Sequence, residues 1–390
     1  MLVQEGAEEE EGIFSSTHGV VKRWINLSRF IWERLVFLRQ ERSKSIRFLF
    51  SLANTGERLT RNRLVREADV IHLHWINAGF LSLRSLRELL QMGKPVVWTF
   101  HDMWPFTGGC HYALDCRKYT RECGTCPYLK RPGKRDLSHR LWKKKEKLFR
   151  NTEVTVITPS SWLQECVKAS SLLRHWEVTT IHNPVDPDLF KPKGREEACA
   201  QLGLDPSKKY ILFGAATMKN VLKGFNYFLE AIRILAQDPE IPGDVEILLF
   251  GKTRGDVIRA FPLPARNIAF VQSVHTMVDL YGAAHLFVIP SLQDNLPNTI
   301  IESMLCGTPV VGFRTGGIPE MIEHKVNGYL AACKSAEELA EGMKWILSRD
   351  AYEDLSAETR QLALERFSRE ASVEKHLDLY SKLLNEELRS

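Results

Sequence analysis

The sequence predicts two doubly wound α/β domains, each on a parallel sheet, and three observations carry that expectation. From Val65 onward, short apolar runs alternate with amphipathic helical patterns, which is the signature of βαβ units covered on both faces. The alternation is interrupted once, at the proline-rich stretch His182–Pro192, which reads as a linker. The chain has 390 residues, and at roughly 100–200 residues per domain that length suffices for two cores.

Composition excludes other classes. The chain is 44% hydrophobic, 26% charged and 9% aromatic, close to the globular average and unlike a disordered, collagen-like or disulfide-stapled scaffold. No apolar run approaches the ~20 residues that span a bilayer. The start, Met1-Leu2-Val3-Gln4 with Glu8–Glu11 behind it, lacks the basic lead and apolar core of a signal peptide. A cytoplasmic protein is expected.

Taken in order, the first element is a helix. Val20, Trp24, Leu27, Ile31, Leu35 and Leu38 recur at helical spacing within Val20–Phe50, among Lys22, Arg23, Arg29, Arg34, Arg39, Arg42, Lys44 and Arg47. The net charge of +5 is uneven: 30 Lys and Arg face 19 Asp and Glu through Val185, and the remainder is acidic. A basic amphipathic helix suits an anionic membrane surface. A surface helix with a solvated basic face is the plainer alternative. Nucleic acid is not expected as a partner, because no nucleic-acid motif accompanies the charge.

Strands are then expected at Asp69–Leu73, Pro95–Phe100, Glu153–Ile157 and Val178–Ile181, with helices at Leu81–Leu90, Leu137–Phe149 and Ser161–Lys168. Beyond the linker, strands are expected at Tyr210–Phe213, Val245–Phe250, Ile268–Val271, His285–Ile289 and Pro309–Phe313. Helices are expected at Phe225–Ala236, Asn298–Leu305, Ile318–Glu323 and Ala336–Leu347, and a helical tail runs from Ala351 to Leu384. Two such domains would face each other across a cleft.

Ligands of open α/β sheets bind at the carboxyl ends of the strands. The residues just past those ends are His72, His74, His101, Asp102, Ser160, Asn183, Lys223 and Asp294, with Glu302 on the next helix. Pro297 suits the first position of that helix, where its missing N–H costs nothing. Free N–H groups at a helix start attract phosphate, and a carboxylate on the helix can bind a ribose diol.

The segment Ser291–Leu330 closely resembles the donor-site signature of family 4 glycosyltransferases of the GT-B fold. The residues that carry the resemblance are Pro290-Ser291, Asp294-x7-Glu302, Gly307-Thr308-Pro309-Val310-Val311, Gly316-Gly317-Ile318-Pro319-Glu320 and Asn327-Gly328. Co-linear with them run Asp69–His74, Thr99-Phe100-His101-Asp102, Pro159-Ser160, Asn183–Asp186 and Lys223-Gly224-Phe225. The resemblance implies two Rossmann-like domains, 1–185 on the acceptor side and 186–365 for the nucleotide-sugar, with a tail at 366–390 packing back on the first. It implies a retaining enzyme of cell-surface polysaccharide synthesis, acting on a lipid-linked or other glycan acceptor at the inner face of the membrane, with no catalytic metal.

By the same resemblance, Glu302 takes the ribose and Asp294 the sugar hydroxyls, one methylene shorter than the usual glutamate. Lys223 takes the diphosphate, and His101 stands beside the reacting sugar. Asn295, Leu296, Asn298, Ser160 and Asn183 complete the donor site. The usual second cation is absent after the strand that continues Gly214-Ala215-Ala216, leaving Arg254 or Lys219 as substitutes. The family's opening strand, Gly-rich loop and helix have no counterpart, so Met1–Gln4 corresponds to the second strand and one βα unit is expected to be missing. A catalytically impaired paralogue that binds without turnover is the rival function.

Cys110, Cys116, Cys123 and Cys126 cluster within an insertion at 105–135 that looks like that of exopolysaccharide, capsule and O-antigen enzymes. In a cytoplasmic protein such spacing favours structural zinc, with free thiols, disulfides or an Fe–S cluster as alternatives. Cys166, Cys199, Cys306 and Cys333 are expected to be packing residues.

Overall fold

The computed structural model describes residues 1–4, 12–17, 19–217, 220–241, 243–252, 255–268, 271 and 273–387. The chain divides into two compact units. Unit 1 holds residues 1–159, 163–180 and 377–390; unit 2 holds 160–162 and 181–376.

Unit 1 opens with two short parallel strands, β1 (Leu2–Val3) and β2 (Phe14–Ser15), and the helix α1 (Gly19–Leu38). Its main sheet is parallel, in the order β3-β4-β5-β6: Ile71–Leu73, Val96–Thr99, Thr155–Thr158 and Val178–Thr180. The central β4 and β5 are buried at every residue, as strands covered on both faces should be. Helices α2 (Leu83–Leu90), α3 (Leu137–Phe149) and α4 (Ser161–Ala169) alternate with them. Ser82 caps α2 through the Ser85 N–H, and Asp136 caps α3 through the His139 N–H.

The tract Met1–Gln4 does not join the main sheet as its second strand. Among the described residues β1 pairs only with β2, and β3 pairs only with β4. Beside β3 lies a cavity of about 630 Å³, lined among others by Leu59, Val65, Ile71, Leu73, Leu81 and Leu89.

Unit 2 has a six-stranded parallel sheet in the order β12-β11-β10-β7-β8-β9. The strands are β7 (Lys209–Thr217), β8 (Val245–Lys252), β9 (Ala265–Asn267), β10 (Leu286–Ile289), β11 (Val310–Phe313) and β12 (Gly328–Ala331). Around them run α5 (Arg195–Leu202), α6 (Phe225–Leu235), α7 (Val274–Ala283), α8 (Asn298–Leu305), α9 (Ala336–Leu347) and α10 (Tyr352–Arg366), and α11 (Arg369–Glu387) begins in this unit and belongs to unit 1 from residue 377. One face of the sheet packs Tyr281, Phe287, Ile300 and Met304, and the other packs Phe213, Phe228, Ile232 and Met343. Two cores on one sheet are what a doubly wound domain requires.

Several elements depart from expectation. A strand lies at Ala265–Asn267, and the one expected at Ile268–Val271 falls in part, at residues 269 and 270, outside the described residues. Only one 3₁₀ turn, Ile318–Glu320, forms where a helix was read over Ile318–Glu323, since so short a stretch cannot offset helix nucleation. The tail is two helices broken at Phe367-Ser368. Pro297 stands one residue before α8 rather than inside it. The apolar stripe of α1 faces outward, and the buried residues of that helix are Asn26, Glu33 and Phe37. Cys166, Cys199 and Cys306 are buried as packing residues, but Cys333 is exposed.

Candidate functional site

The loop from Pro290 to Pro297 leaves the carboxyl end of β10 and enters α8. Three backbone segments clamp it. Leu292 N–H donates to the Leu222 carbonyl at 2.7 Å, Thr315 Oγ1 donates to the Leu292 carbonyl at 3.0 Å, and Gly317 N–H donates to the Asp294 carbonyl at 3.1 Å. Glycine is required at two of the contacts. A Cβ on Gly224 (φ +65°) would lie 1.8 Å from the Pro290 oxygen, and one on Gly316 (φ +58°) would lie 1.8 Å from the Asp294 oxygen.

The clamp brings Lys223 against Asp294. Lys223 Nζ lies 2.7 Å from Asp294 Oδ2, which also accepts from Ser291 Oγ at 3.2 Å. Asp294 Oδ1 accepts from the Asn295 N–H at 3.1 Å. Asn295 and Leu296 are buried, and Ser160 Oγ donates to Asn295 Oδ1 at 2.5 Å. Asn298, exposed at the first residue of α8, accepts from Asn183 Nδ2 at 3.0 Å.

Glu302 lies one turn inside α8, where Tyr281 OH donates to its Oε2 at 3.0 Å. Burial raises the Glu302 carboxyl above its ordinary range, and the Tyr281 hydrogen bond opposes that rise. The expected donor residues Lys223, Asp294, Asn295, Leu296, Asn298, Glu302, Ser160 and Asn183 therefore all belong to unit 2, on or beside one strand-to-helix turn. Arg254 and Lys219 lie outside the described residues.

One contact was not foreseen. The Glu320 carboxylate accepts from the Ser161 and Trp162 N–H groups, at 2.8 and 2.7 Å. Glu320 closes the Gly316–Glu320 run, so the signal was in view without its partner.

His101 belongs to unit 1, past the end of β4. Its Nε2 is 3.0 Å from His74 Nδ1, and the His74 ring stacks on that of His72 with centroids 4.3 Å apart. His72 reaches Thr99 Oγ1 at 2.7 Å and Tyr380 OH at 2.6 Å. Burial lowers the His101 pKa, and neighbouring Asp102 only partly counters it. The imidazole is therefore neutral at pH 7, with one N–H and one lone pair.

Asp102 is held by the insertion. Its Oδ2 is 2.7 Å from His111 Nδ1, its Oδ1 accepts from the Trp104 N–H at 2.7 Å, and His111 Nε2 is 2.8 Å from Ser51 Oγ. Burial alone would raise the Asp102 carboxyl, but His111 and the Trp104 N–H together hold it below the carboxylate range. Composition and spacing gave no warning of this chain.

Cys110, Cys116, Cys123 and Cys126 line one small cavity of about 20 Å³. Cys123 Sγ accepts from the Gly108 N–H at 3.2 Å. Burial pushes the Cys123 thiol up to about 12 and the Cys126 thiol to about 11. Four thiols around one cavity are a donor set that suits structural zinc. As they stand, no group of three or more His, Cys, Asp or Glu among the described residues is arranged to hold a metal ion. The donors are in one place, then, without coordination geometry.

The family described as Glycosyltransferase Family 4 matches residues 18–189, and the one described as Glycosyl transferases group 1 matches residues 208–349. A D-inositol 3-phosphate glycosyltransferase of Saccharomonospora viridis is 25% identical over 56% of this chain, a match that spans 54% of that protein. The putative colanic acid biosynthesis glycosyl transferase WcaC of Escherichia coli is 24% identical over 80% of this chain and 76% of its own length. Among solved structures, sucrose-phosphate synthase from Thermosynechococcus elongatus superposes with a TM-score of 0.62 at 19% identity, covering 83% of this chain and 80% of its own. Anabaena HepE in complex with UDP superposes with a TM-score of 0.60 at 19% identity, covering 82% and 81%. These likenesses show the fold to be GT-B, with two Rossmann-like parallel sheets.

Proposed function

The two domain matches make this chain a member of the family 4 and group 1 glycosyltransferases, and from that premise we propose that it moves a sugar from a nucleotide-sugar donor to a glycan acceptor. The reading extends to a lipid-linked acceptor in cell-surface polysaccharide synthesis, on the cytoplasmic side of the membrane. The likeness to a colanic acid enzyme supports the pathway class, and HepE, a protein of the same fold, is named with UDP and UDP-glucose.

One observation carries the proposal: Lys223 and Asp294 are paired at the entry of α8, with Glu302 partly buried a turn inside it. The helix start offers unsatisfied N–H groups and a favourable dipole to a diphosphate. Lys223 would release Asp294 to meet that charge and stabilise it as it grows on the leaving nucleotide. Asp294, freed from the lysine, would take sugar hydroxyls, and Glu302 would take the ribose diol.

His101 in its neutral state can donate to the sugar or accept a proton from the attacking hydroxyl. Retention by double displacement would require a carboxylate nucleophile. In this reading Asp294 takes the sugar hydroxyls and Glu302 the ribose diol, so neither is assigned to attack the anomeric carbon. Front-face displacement, with the departing diphosphate drawing the acceptor proton, is the consistent route. No step is assigned to a catalytic metal.

A thermal-shift screen of nucleotide-sugars against the purified chain tests the reading, because a ligand specific to the native state raises its midpoint. A shift with one donor, lost in Glu302→Ala, is expected. Unchanged donor affinity in that variant would remove the ribose role. Binding without transfer or hydrolysis would favour the rival of an impaired paralogue.

A further inference from the structure

Helix α1 is attached to unit 1 by its polar side. Asn26 Nδ2 donates to Thr17 Oγ1 at 2.5 Å, and Glu33 Oε1 accepts from the Leu52 and Ala53 N–H groups at 2.7 and 3.3 Å. Phe37 stacks on Phe50 with centroids 4.8 Å apart. These three are the only buried residues of the 20-residue helix. At 100° per residue they fall on one side, and Val20, Trp24, Leu27, Ile31, Leu35 and Leu38 fall on the other.

The outward stripe is apolar and bare. Trp24 is 66% exposed, Trp32 59% and Val21 72%, and nearby Phe48 is 66% exposed. An amphipathic helix on a globular body normally turns this stripe inward, and so large an exposed apolar patch marks an interaction surface. Among the described residues of Val20–Phe50 the unpaired charge has one sign. Both acids of the stretch are consumed, Glu33 by backbone N–H groups and Arg34, and Glu41 by Arg47. Arg23, Arg39, Arg42 and Lys44 form no ion pair among the described residues.

We propose that α1 lies in the plane of an anionic lipid bilayer, with Trp24, Ile31 and Leu35 sunk at the acyl boundary and Arg23, Arg39, Arg42 and Lys44 on the lipid phosphates. Charge complementarity decides the occupant. A second copy would cover the stripe but would bring its arginines against their equals, and a nucleic acid would leave the stripe wet. Tryptophans at the edge of an apolar face are suited to the headgroup level. No helix among the described residues is long and apolar enough to cross a membrane, so the helix lies flat. The surface would serve a lipid-linked acceptor, but its test uses neither donor nor acceptor, so it and the transfer reading can fail separately.

The test is sedimentation of the full chain with vesicles of phosphatidylcholine alone or with one-third phosphatidylglycerol. The expected result is at least tenfold tighter partitioning on the anionic vesicles, weakened by salt. Trp24→Ser/Ile31→Ser/Leu35→Ser should lose at least tenfold, and Arg23→Gln/Arg39→Gln/Arg42→Gln should lose the preference for anionic lipid. Both sets are exposed, so unchanged circular dichroism and thermal midpoint will show that the fold is retained. Three results would overturn the proposal: no partitioning at low salt; full binding by the apolar variant; or a lipid-free dimer that the apolar variant dissolves.

Discussion

Lys223 and Asp294 hold each other at 2.7 Å, so each reports on the other. Lys223→Ala removes the cation proposed for the diphosphate and also strands a buried carboxylate. Donor binding should fall at least tenfold in that variant, by titration calorimetry, with some loss of stability. Asp294→Asn leaves the lysine unpaired for the diphosphate, so nucleotide should bind as well as before or better while sugar transfer falls. Equal losses in both variants would deny the division of roles. His101 gives a pH signature. Because burial lowers its pKa, the neutral form persists below the ordinary 6.5, and the acid limb of kcat/KM should lie below that value. His101→Ala should remove the limb with most of the turnover. A limb unchanged in the variant would assign it to another group. At this scale the sequence was informative where chemistry sits in one contiguous run. The turn that carries Asp294, Asn295, Leu296, Asn298 and Glu302 was legible through the resemblance of one contiguous run to the family signature, and Lys223, read after a strand, is paired with it at Asp294. The Ser51–His111–Asp102 chain was not legible, because Ser51 and His111 are 60 residues apart and no period links them.

At the scale of elements, the donor turn is built by glycines. A Cβ on Gly317 would stand 1.9 Å from the Asn295 oxygen and 2.8 Å from Ser160 Cβ. Gly317→Ala must therefore push the loop away from its clamp, at about 1–3 kcal/mol for an overpacked site. Urea unfolding and donor titration should both register it; a variant that matches the parent in both would show the clamp to be slack. The strands around this turn were readable because each buried run is short, apolar and flanked by polar residues. Gly328–Ala331 escaped notice because a four-residue strand that starts on glycine carries almost no pattern. The outward face of α1 could not be inferred either. Periodicity gives the stripe, and only tertiary contacts such as Glu33 to the Leu52 N–H decide which side turns in. The cysteine loop admits a direct measurement. If its four thiols close on zinc, the purified chain should hold one equivalent, lost in Cys123→Ser/Cys126→Ser with a drop in thermal midpoint. A metal-free chain of full stability would leave these cysteines as packing residues.

For the molecule as a whole, acid sensitivity should originate in unit 2, at a buried imidazole. His285 lies just before β10, and its Nδ1 accepts from the Tyr210 N–H at 3.2 Å and from Arg195 at 2.9 Å. Both contacts use the lone pair, so the native state needs the ring neutral. Burial first, then the charges of Arg195 and Lys209, push its pKa from 6.5 down to about 3. The unfolded chain binds a proton near 6.5 that the native chain refuses until about 3. Its contribution is thus complete above 6.5 and declines as pH falls through that window, at no more than about 1.4 kcal/mol per unit. His285→Asn keeps an acceptor for both donors but has nothing to protonate. It should be somewhat less stable than the parent at pH 7.5, yet lose less between pH 6 and 4, so that the two stability curves converge. Parallel urea midpoints for parent and variant across that range would place the acid sensitivity elsewhere. Convergence would instead tie the pH range of the whole unit to one contact beneath the sheet that carries the donor turn, since β7 and β10 are adjacent strands.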